Sequence, residues 1–394
     1  MSIQQAIPVP REQERQIKPR AAGPDLTLLL AALALLALGL VMVASASLQW
    51  AEDRTGQAFY FANRQALFLL VGLIAGWLAW RTPTAVWEKQ GPLLFLFGLV
   101  LLMLVLVPEL GREVNGSKRW LPLGPFNLQP SELMKLFAVF YVADYLVRRG
   151  QEVRSGWQGF LKPLVLLVVA AMLLLAEPDF GATAVLLATV LGMMYIGGAR
   201  LWQFGVLIGI AALLAVTLVL TTDYRLDRVL YFTDPWADPY NKGFQLIQAL
   251  IAFGRGDWLG VGLGAGVQKL AYLPEAHTDF LFAVIGEELG AVGCLSVISL
   301  FSFLTWRALS LSERAHRLGR YYASFLACGL GLLIGMQAFL NLGVNLGLLP
   351  TKGLTLPLMS YGGSSLVVAC IAVGVLLRVH DELAEVPLAA AGED

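Results

Sequence analysis

The sequence predicts an all-α polytopic membrane protein of about ten transmembrane helices, both termini cytoplasmic, with a large extracytoplasmic loop between helices 7 and 8. Three observations carry this prediction. Of 394 residues, 57% are apolar and only 14% charged, which is a membrane composition. Apolar stretches close to the ~20 residues needed to cross a bilayer recur along almost the whole chain, leaving no soluble domain. The loops between them carry their Lys and Arg mainly on one side.

The candidate spans are 26–48, 65–80, 91–107, 132–148, 163–177, 180–197, 200–221, 279–306, 319–345 and 360–379. Glu177-Pro178-Asp179 reads as a tight turn between the fifth and sixth. Ala44-Ser45-Ala46 imitates a signal-peptidase site. However, the apolar run before it is about 20 residues long against the ~7–15 of a signal sequence, so it reads as a retained first span. With the N-terminus inside, sixteen Lys and Arg residues from Arg11 to Arg378 fall on the cytoplasmic side. Six fall in the short outer loops: Arg54, Arg64, Arg112, Lys118, Arg119 and Lys352.

Residues 1–25 are polar and aperiodic and read as a disordered cytoplasmic tail. The transmembrane domain then covers 26–379, and 380–394 form a second cytoplasmic tail. Residues 222–278 make a long periplasmic loop, well beyond the ~12–15 residues of an ordinary connection. Within it, Phe244, Ile247, Leu250 and Ile251 follow helical spacing, which predicts a short interfacial or re-entrant helix. The glycines of "GRGDWLGVGLGAG" follow and permit tight turns.

Several function classes drop out. With 28 acidic and 28 basic residues, the chain lacks the concentrated basic surface of a nucleic-acid binder. Cys294, Cys328 and Cys370 have no His or Cys neighbours at metal-ligand spacing and read as packing residues. The glycine series 260–266 has no preceding strand, so it is not a dinucleotide fingerprint. Arg255-Gly256-Asp257 is too short a match to an adhesion tripeptide to carry information.

Three polar constellations interrupt the apolar pattern. In "LPEAHTDF", residues 273–280, Asp279 enters the eighth span. Burial would raise its pKa toward the range of a general base, while an acidic cap on the helix dipole explains it equally well. Glu275 is either part of that site or a solvated loop charge, and His277 either a tuned partner or a structural hydrogen-bonder. Glu287 and Glu288 lie two turns deeper, and at least one of them needs a partner.

The second constellation is "GSKRWLPLGPFNLQPSELMKL", residues 116–136. Glu132 and Lys135 share a helix face. They either neutralise each other, or Lys135 and Arg119 offer cations to an anionic substrate group with Glu132 holding the lysine. The third is "NLGLLPTKGLTLPLMSYGGSS", residues 345–365. Lys352 and Tyr361 there either line a wet cavity bounded by non-helical backbone or belong to an ordinary outer loop.

These blocks, with "FTDPWADPYNKGFQLIQAL" and "VQKLAYLPEAHTDFLFAVIGEELG", resemble the SEDS family (shape, elongation, division and sporulation). "PEAHTDF" and "PTKGLTLPL" are more similar to its cell-division branch, FtsW, than to its elongation branch, RodA. The resemblance runs from the first span to Arg378. It implies a peptidoglycan glycosyltransferase that polymerises lipid II into glycan strands, an inverting hexosyl transfer on the periplasmic side of the bacterial inner membrane at the septum. It implies Asp279 as the catalytic base, with Arg119, Glu132, Lys135, Glu275, His277, Lys352 and Tyr361 as candidates to bind substrate. The implied partners are lipid II and undecaprenyl-diphosphate-linked glycan, membrane lipid, a class B penicillin-binding transpeptidase of the FtsI type, and divisome regulatory membrane proteins. The resemblance makes no cofactor certain. A divalent cation, Mg or Mn, is a candidate to share the diphosphate charge, and no ligand cluster identifies a metal site. A lipid II flippase or transporter and a divisome membrane scaffold are the alternatives. A flippase would line a path through to the inside with charge, whereas the enzyme gathers it at the outer end. Asn127 departs from the family pattern, in which a larger or basic side chain is expected.

Overall fold

In the computed structural model, the described residues are 23–114, 117–124, 126–207, 209, 235–239, 243–270, 272–350 and 353–385. The N-terminal tail, most of the seventh predicted span, the front of the long loop and Lys352 lie outside them. The described chain is mostly helical, and seven of its helices are long and apolar enough to cross a membrane.

The helices are α1 (Leu26–Thr55), α2 (Tyr60–Arg81), α3 (Thr84–Leu106), α4 (Pro130–Ser155), α5 (Trp157–Ala176), α6 (Phe180–Ile196), α7 (Phe244–Gly256), α8 (Leu281–Arg317), α9 (Tyr321–Asn345) and α10 (Gly363–Ala384). Nine of them match predicted spans, and the tenth, α7, matches the short helix expected from the spacing of Phe244, Ile247 and Leu250. Most run past the predicted ends, because a helix continues into the polar headgroup zone where hydropathy no longer marks it. The predicted turn at 177–179 separates α5 from α6. Asp179 caps α6, its Oδ1 accepting from the Ala182 N–H at 3.1 Å.

The connection from α3 to α4, read from the sequence as a plain outer loop, is instead a three-stranded antiparallel sheet. Its order is β1 (Arg112–Val114), β2 (Ser117–Leu123), β3 (Phe126–Leu128). The strands are too short for alternation to show in the sequence, and Pro122 lies in the β2–β3 pairing. The sheet is tied to the start of α10 by the Gln129 N–H, which donates to Ser364 Oγ at 2.9 Å.

Small residues let the helices approach closely, as membrane packing requires where lipid supplies no hydrophobic drive. Between α2 and α10, a Cβ on Gly374 would fall 2.1 Å from the Gly76 carbonyl oxygen. The three cysteines are unpaired, with Cys328 and Cys370 buried in the core and Cys294 half-buried. The core is one large apolar cluster running through the helices, with a smaller one of Leu101, Val105 and Leu121 where α3 meets β2.

Candidate active site

Where the sheet, the α5–α6 turn, the segment before α8 and the segment before α10 meet, they enclose an open cavity of about 450 Å³. Its walls include Arg119 from β2, Glu132 from α4, Asp179, Glu275, Asp279, Thr355 and Tyr361. Five of the eight predicted site residues therefore converge from four separate stretches of chain.

Asp279 is half-buried and faces this cavity. It does not cap α8: that helix begins at Leu281 with Phe280 at the cap position and no side-chain capping bond. Its main chain is instead fixed from α9, where the amides of Asn341 and Asn345 each donate to the Asp279 carbonyl oxygen at 2.9 Å. The carboxyl oxygen Oδ2 lies 3.1 Å from where a Cβ on Gly353 would stand, and Arg119 Nη1 lies 3.7 Å from the same point. Burial and the like charge of Glu275 push the Asp279 carboxyl up to about 7, against the pull of Arg119. That value suits a base working near neutral pH.

Arg119 is held by the α5–α6 turn, with Nε donating to the Glu177 carbonyl at 3.2 Å and Nη2 to that of Pro178 at 2.5 Å. Glu275 takes a left-handed backbone, φ 56°, and its Oε2 accepts from the Thr278 hydroxyl at 2.7 Å. The Tyr361 ring packs edge-on to Phe61 at 5.2 Å, and burial raises its hydroxyl pKa.

Two predicted residues stand outside the cavity wall. Lys135 lies beneath the floor, only 1% exposed, with its Nζ 2.8 Å from Glu132 Oε1 and 2.7 Å from Gln337 Oε1. Gln337 in turn donates to the Thr355 carbonyl at 3.1 Å. The lysine thus joins α4 to α9 and the 353–362 segment, and Glu132 reaches the cavity in its place. His277 is buried against Phe61 at 4.7 Å and Tyr361 at 5.5 Å, and burial holds its pKa below the usual imidazole range, so the ring is neutral near pH 7.

Glu287 and Glu288 are partnered well away from this cavity. Lys269 bridges Glu288 at 2.6 Å, and Ser45 of α1 donates to the same carboxylate at 2.8 Å. Glu287 accepts the Val267 N–H at 2.9 Å and lies 3.4 Å from Arg255. The glycine-rich loop makes this possible. At Gly290 (φ 65°) α8 is broken, and the freed carbonyls of Glu287 and Glu288 accept from the N–H groups of Val261 at 3.0 Å and Gly262 at 3.1 Å. A Cβ on Gly260 would fall 2.1 Å from the Glu288 oxygen, so only a bare backbone fits there.

The cell cycle protein family FtsW/RodA/SpoVE matches residues 26–385. The chain belongs to this family. It is 58% identical over 359 residues to a probable peptidoglycan glycosyltransferase FtsW of Nitrosococcus halophilus, covering 91% of this chain and 92% of that one. A protein of the same description from Allochromatium vinosum is 55% identical, covering 94% and 92%. Among solved structures, a chain of a peptidoglycan synthase complex superimposes with a TM-score of 0.76 at 33% identity, covering 92% of this chain and 98% of that chain. The rod shape determining protein RodA of Thermus thermophilus gives 0.66 at 30%, covering 91% and 97%.

In this FtsW/RodA/SpoVE chain, sequence reasoning missed Arg64, Gln129 and Asp179 in the cavity wall and the Asn341/Asn345 pair behind it. Arg64 stands next to the first predicted residue of the second span, and a cation at that edge of an apolar run was a usable signal. The two asparagines four apart in an apolar helix were another.

Proposed function

We propose that this integral membrane protein is a peptidoglycan glycosyltransferase that polymerises lipid II during septal wall synthesis, with Asp279 as general base. The observation that carries the reading is the Asp279 carboxyl, poised near neutral and opening on a cavity beside Arg119. The names of relatives more than half identical to the chain point to the same chemistry. The chain then spans the inner membrane about ten times with both termini cytoplasmic. The excess of basic residues on one side supports this orientation, which sets the cavity and the 222–278 loop in the periplasm.

In the reaction, Asp279 accepts the proton of the acceptor GlcNAc 4-hydroxyl as that oxygen bonds to the anomeric carbon of the donor MurNAc. The bond from that carbon to undecaprenyl diphosphate breaks on the opposite face, inverting the centre. Arg119 and Arg64 face the charge that gathers on the departing diphosphate, with Lys352 assigned the same task from the sequence alone, and stabilising such charge is usually the largest catalytic contribution. Glu132, Glu275 and Tyr361 supply polar contacts to sugar hydroxyls, while Lys135 and His277 position Glu132 and Tyr361. Among the described residues no three His, Cys, Asp or Glu side chains come together as a metal group. A divalent cation, Mg or Mn, would share the charge of the substrate diphosphate.

Glu287 and Glu288, which lie deeper than the other charges, are the sequence feature least comfortable with the enzyme. Their lysine, serine and backbone partners make them a closed cluster, which favours the enzyme. Domain limits follow the sequence reading, with short cytoplasmic tails at 1–25 and 380–394. A solved relative comes from a complex that coordinates polymerization and crosslinking, which supports a class B penicillin-binding transpeptidase as partner. Divisome regulators remain part of the proposal by family resemblance. Reconstituting the full chain with that transpeptidase and labelled lipid II tests the function: glycan polymer is expected, and lipid II translocation without polymer would replace the enzyme with the flippase.

A further inference from the structure

A second cavity, of about 500 Å³, opens at the opposite end of the helix bundle from Asp279. It lies where α4 ends against the corner between α8 and α9. Helix α4 bends there, since Arg149 has a non-helical backbone (φ −128°, ψ 17°). The inner side is formed by Leu146, Tyr321 and Phe325 with His316 beside them, and the lip carries Arg148, Arg149 and Arg154 together with Gln151 and Glu152.

The charges at the lip do not cancel. Arg148 is matched by Asp144 at 2.5 Å. Glu152, by contrast, is shared between Arg149 and Lys162, which leaves one positive charge over. Arg154 meets only a neutral acceptor, its Nε donating to the Gly197 carbonyl at 3.2 Å. Two uncompensated cations therefore stand over a pocket that is polar at its lip and apolar only on its inner side, at the level where α4 and α9 leave the bilayer.

We infer that this pocket binds the headgroup of an anionic phospholipid of the cytoplasmic leaflet, its phosphate on Arg149 and Arg154 and its first acyl carbons against Tyr321 and Phe325. An amphipathic hollow at a helix end with unmatched arginines fits a phosphodiester attached to a lipid chain better than a free anion, which has no use for the apolar wall. The inference rests on the orientation proposed above, which makes this end cytoplasmic, but not on the chemistry at Asp279.

The test uses the full chain in nanodiscs of phosphatidylethanolamine with phosphatidylglycerol or cardiolipin, and counts lipids retained on transfer to detergent by native mass spectrometry. Wild type is expected to retain an anionic lipid, and Arg149→Gln/Arg154→Gln to lower its preference over phosphatidylethanolamine by about tenfold. Arg81→Gln, a cation lost elsewhere on the same end, should leave it unchanged. Arg149→Glu alone, at an exposed position, repeats the test should the double variant fail to fold. Equal retention in wild type and pocket variants, or an equal loss in Arg81→Gln, would overturn the site. Displacement of the bound lipid by inorganic phosphate would overturn the lipid as its occupant. None of these readouts depends on glycan synthesis, so failure here leaves the enzymatic reading standing.

Discussion

Two groups of carboxylates lie within ten residues of each other around the start of α8, and they have opposite characters. Glu287 and Glu288 are fully buried and fully partnered, by Lys269, Ser45, Arg255 and the backbone of the glycine-rich loop. Asp279 is partly open to a cavity and has no cation within salt-bridge distance among the described residues, with Arg119 close by and committed to two carbonyls. Pairing decides the outcome. A buried carboxylate with a lysine against it is committed to that pair and binds the structure together. One left beside a like charge rises toward neutrality and can move a proton. Depth in the membrane alone does not separate them.

Breaking each group should therefore give different signatures. The largest effect is expected at Asp279→Asn, which keeps the shape and removes the base. Polymerisation should fall by about 10²–10⁴-fold, with no loss of thermal stability. Lys269→Met should do the reverse, leaving Glu288 without its cation in the interior at a cost of about 3–5 kcal/mol. A lowered unfolding temperature in detergent, with activity retained per folded molecule at low temperature, would confirm it.

Glu177 gives a smaller effect of the opposite sign. Its two side-chain oxygens are buried without a hydrogen-bond partner, and burial with Asp179 nearby raises it to about 8. A folded pKa above the unfolded value favours the fold at low pH, and that contribution disappears as pH rises through about 8. Glu177→Gln should thus be more stable than wild type at alkaline pH and little different at pH 5, read as the shift in melting temperature between the two. The smallest change is Gly353→Ala. Its methyl would enter beside Asp279 Oδ2, and a drop in kcat of roughly tenfold or less with unaltered melting would show that the space between Asp279 and Arg119 is used.

Much of this was legible in the sequence, and what was missed has physical causes. Apolar runs of spanning length gave nine of the described helices, because lipid imposes composition directly. The "HTDF", "QPSE" and "SYGG" blocks marked Asp279, Glu132 and Tyr361, all of which line one cavity. Spacing could not tell that Lys135 turns beneath the floor to Gln337, 202 residues away, nor that His277 turns into an aromatic stack. Both depend on how α9 and the 353–362 segment fold back, and that is a long-range fact. The Glu288 partners Lys269 and Ser45 were invisible for a similar reason, Lys269 lying 19 residues from Glu288 across the glycine-rich loop and Ser45 243 residues from it. The short strands around Arg119 escaped because three residues are too few to show a period.

The account turns on the proton affinity of Asp279, and the rate of glycan synthesis against pH measures it. With lipid II saturating, the rate should climb with pH along a single limb centred near 7. In Glu275→Gln, which removes the like charge, that limb should move to lower pH. A wild-type profile flat between about pH 5 and 9, or a limb that stays in place when Glu275 is neutralised and persists in Asp279→Asn, would show that another group takes the proton.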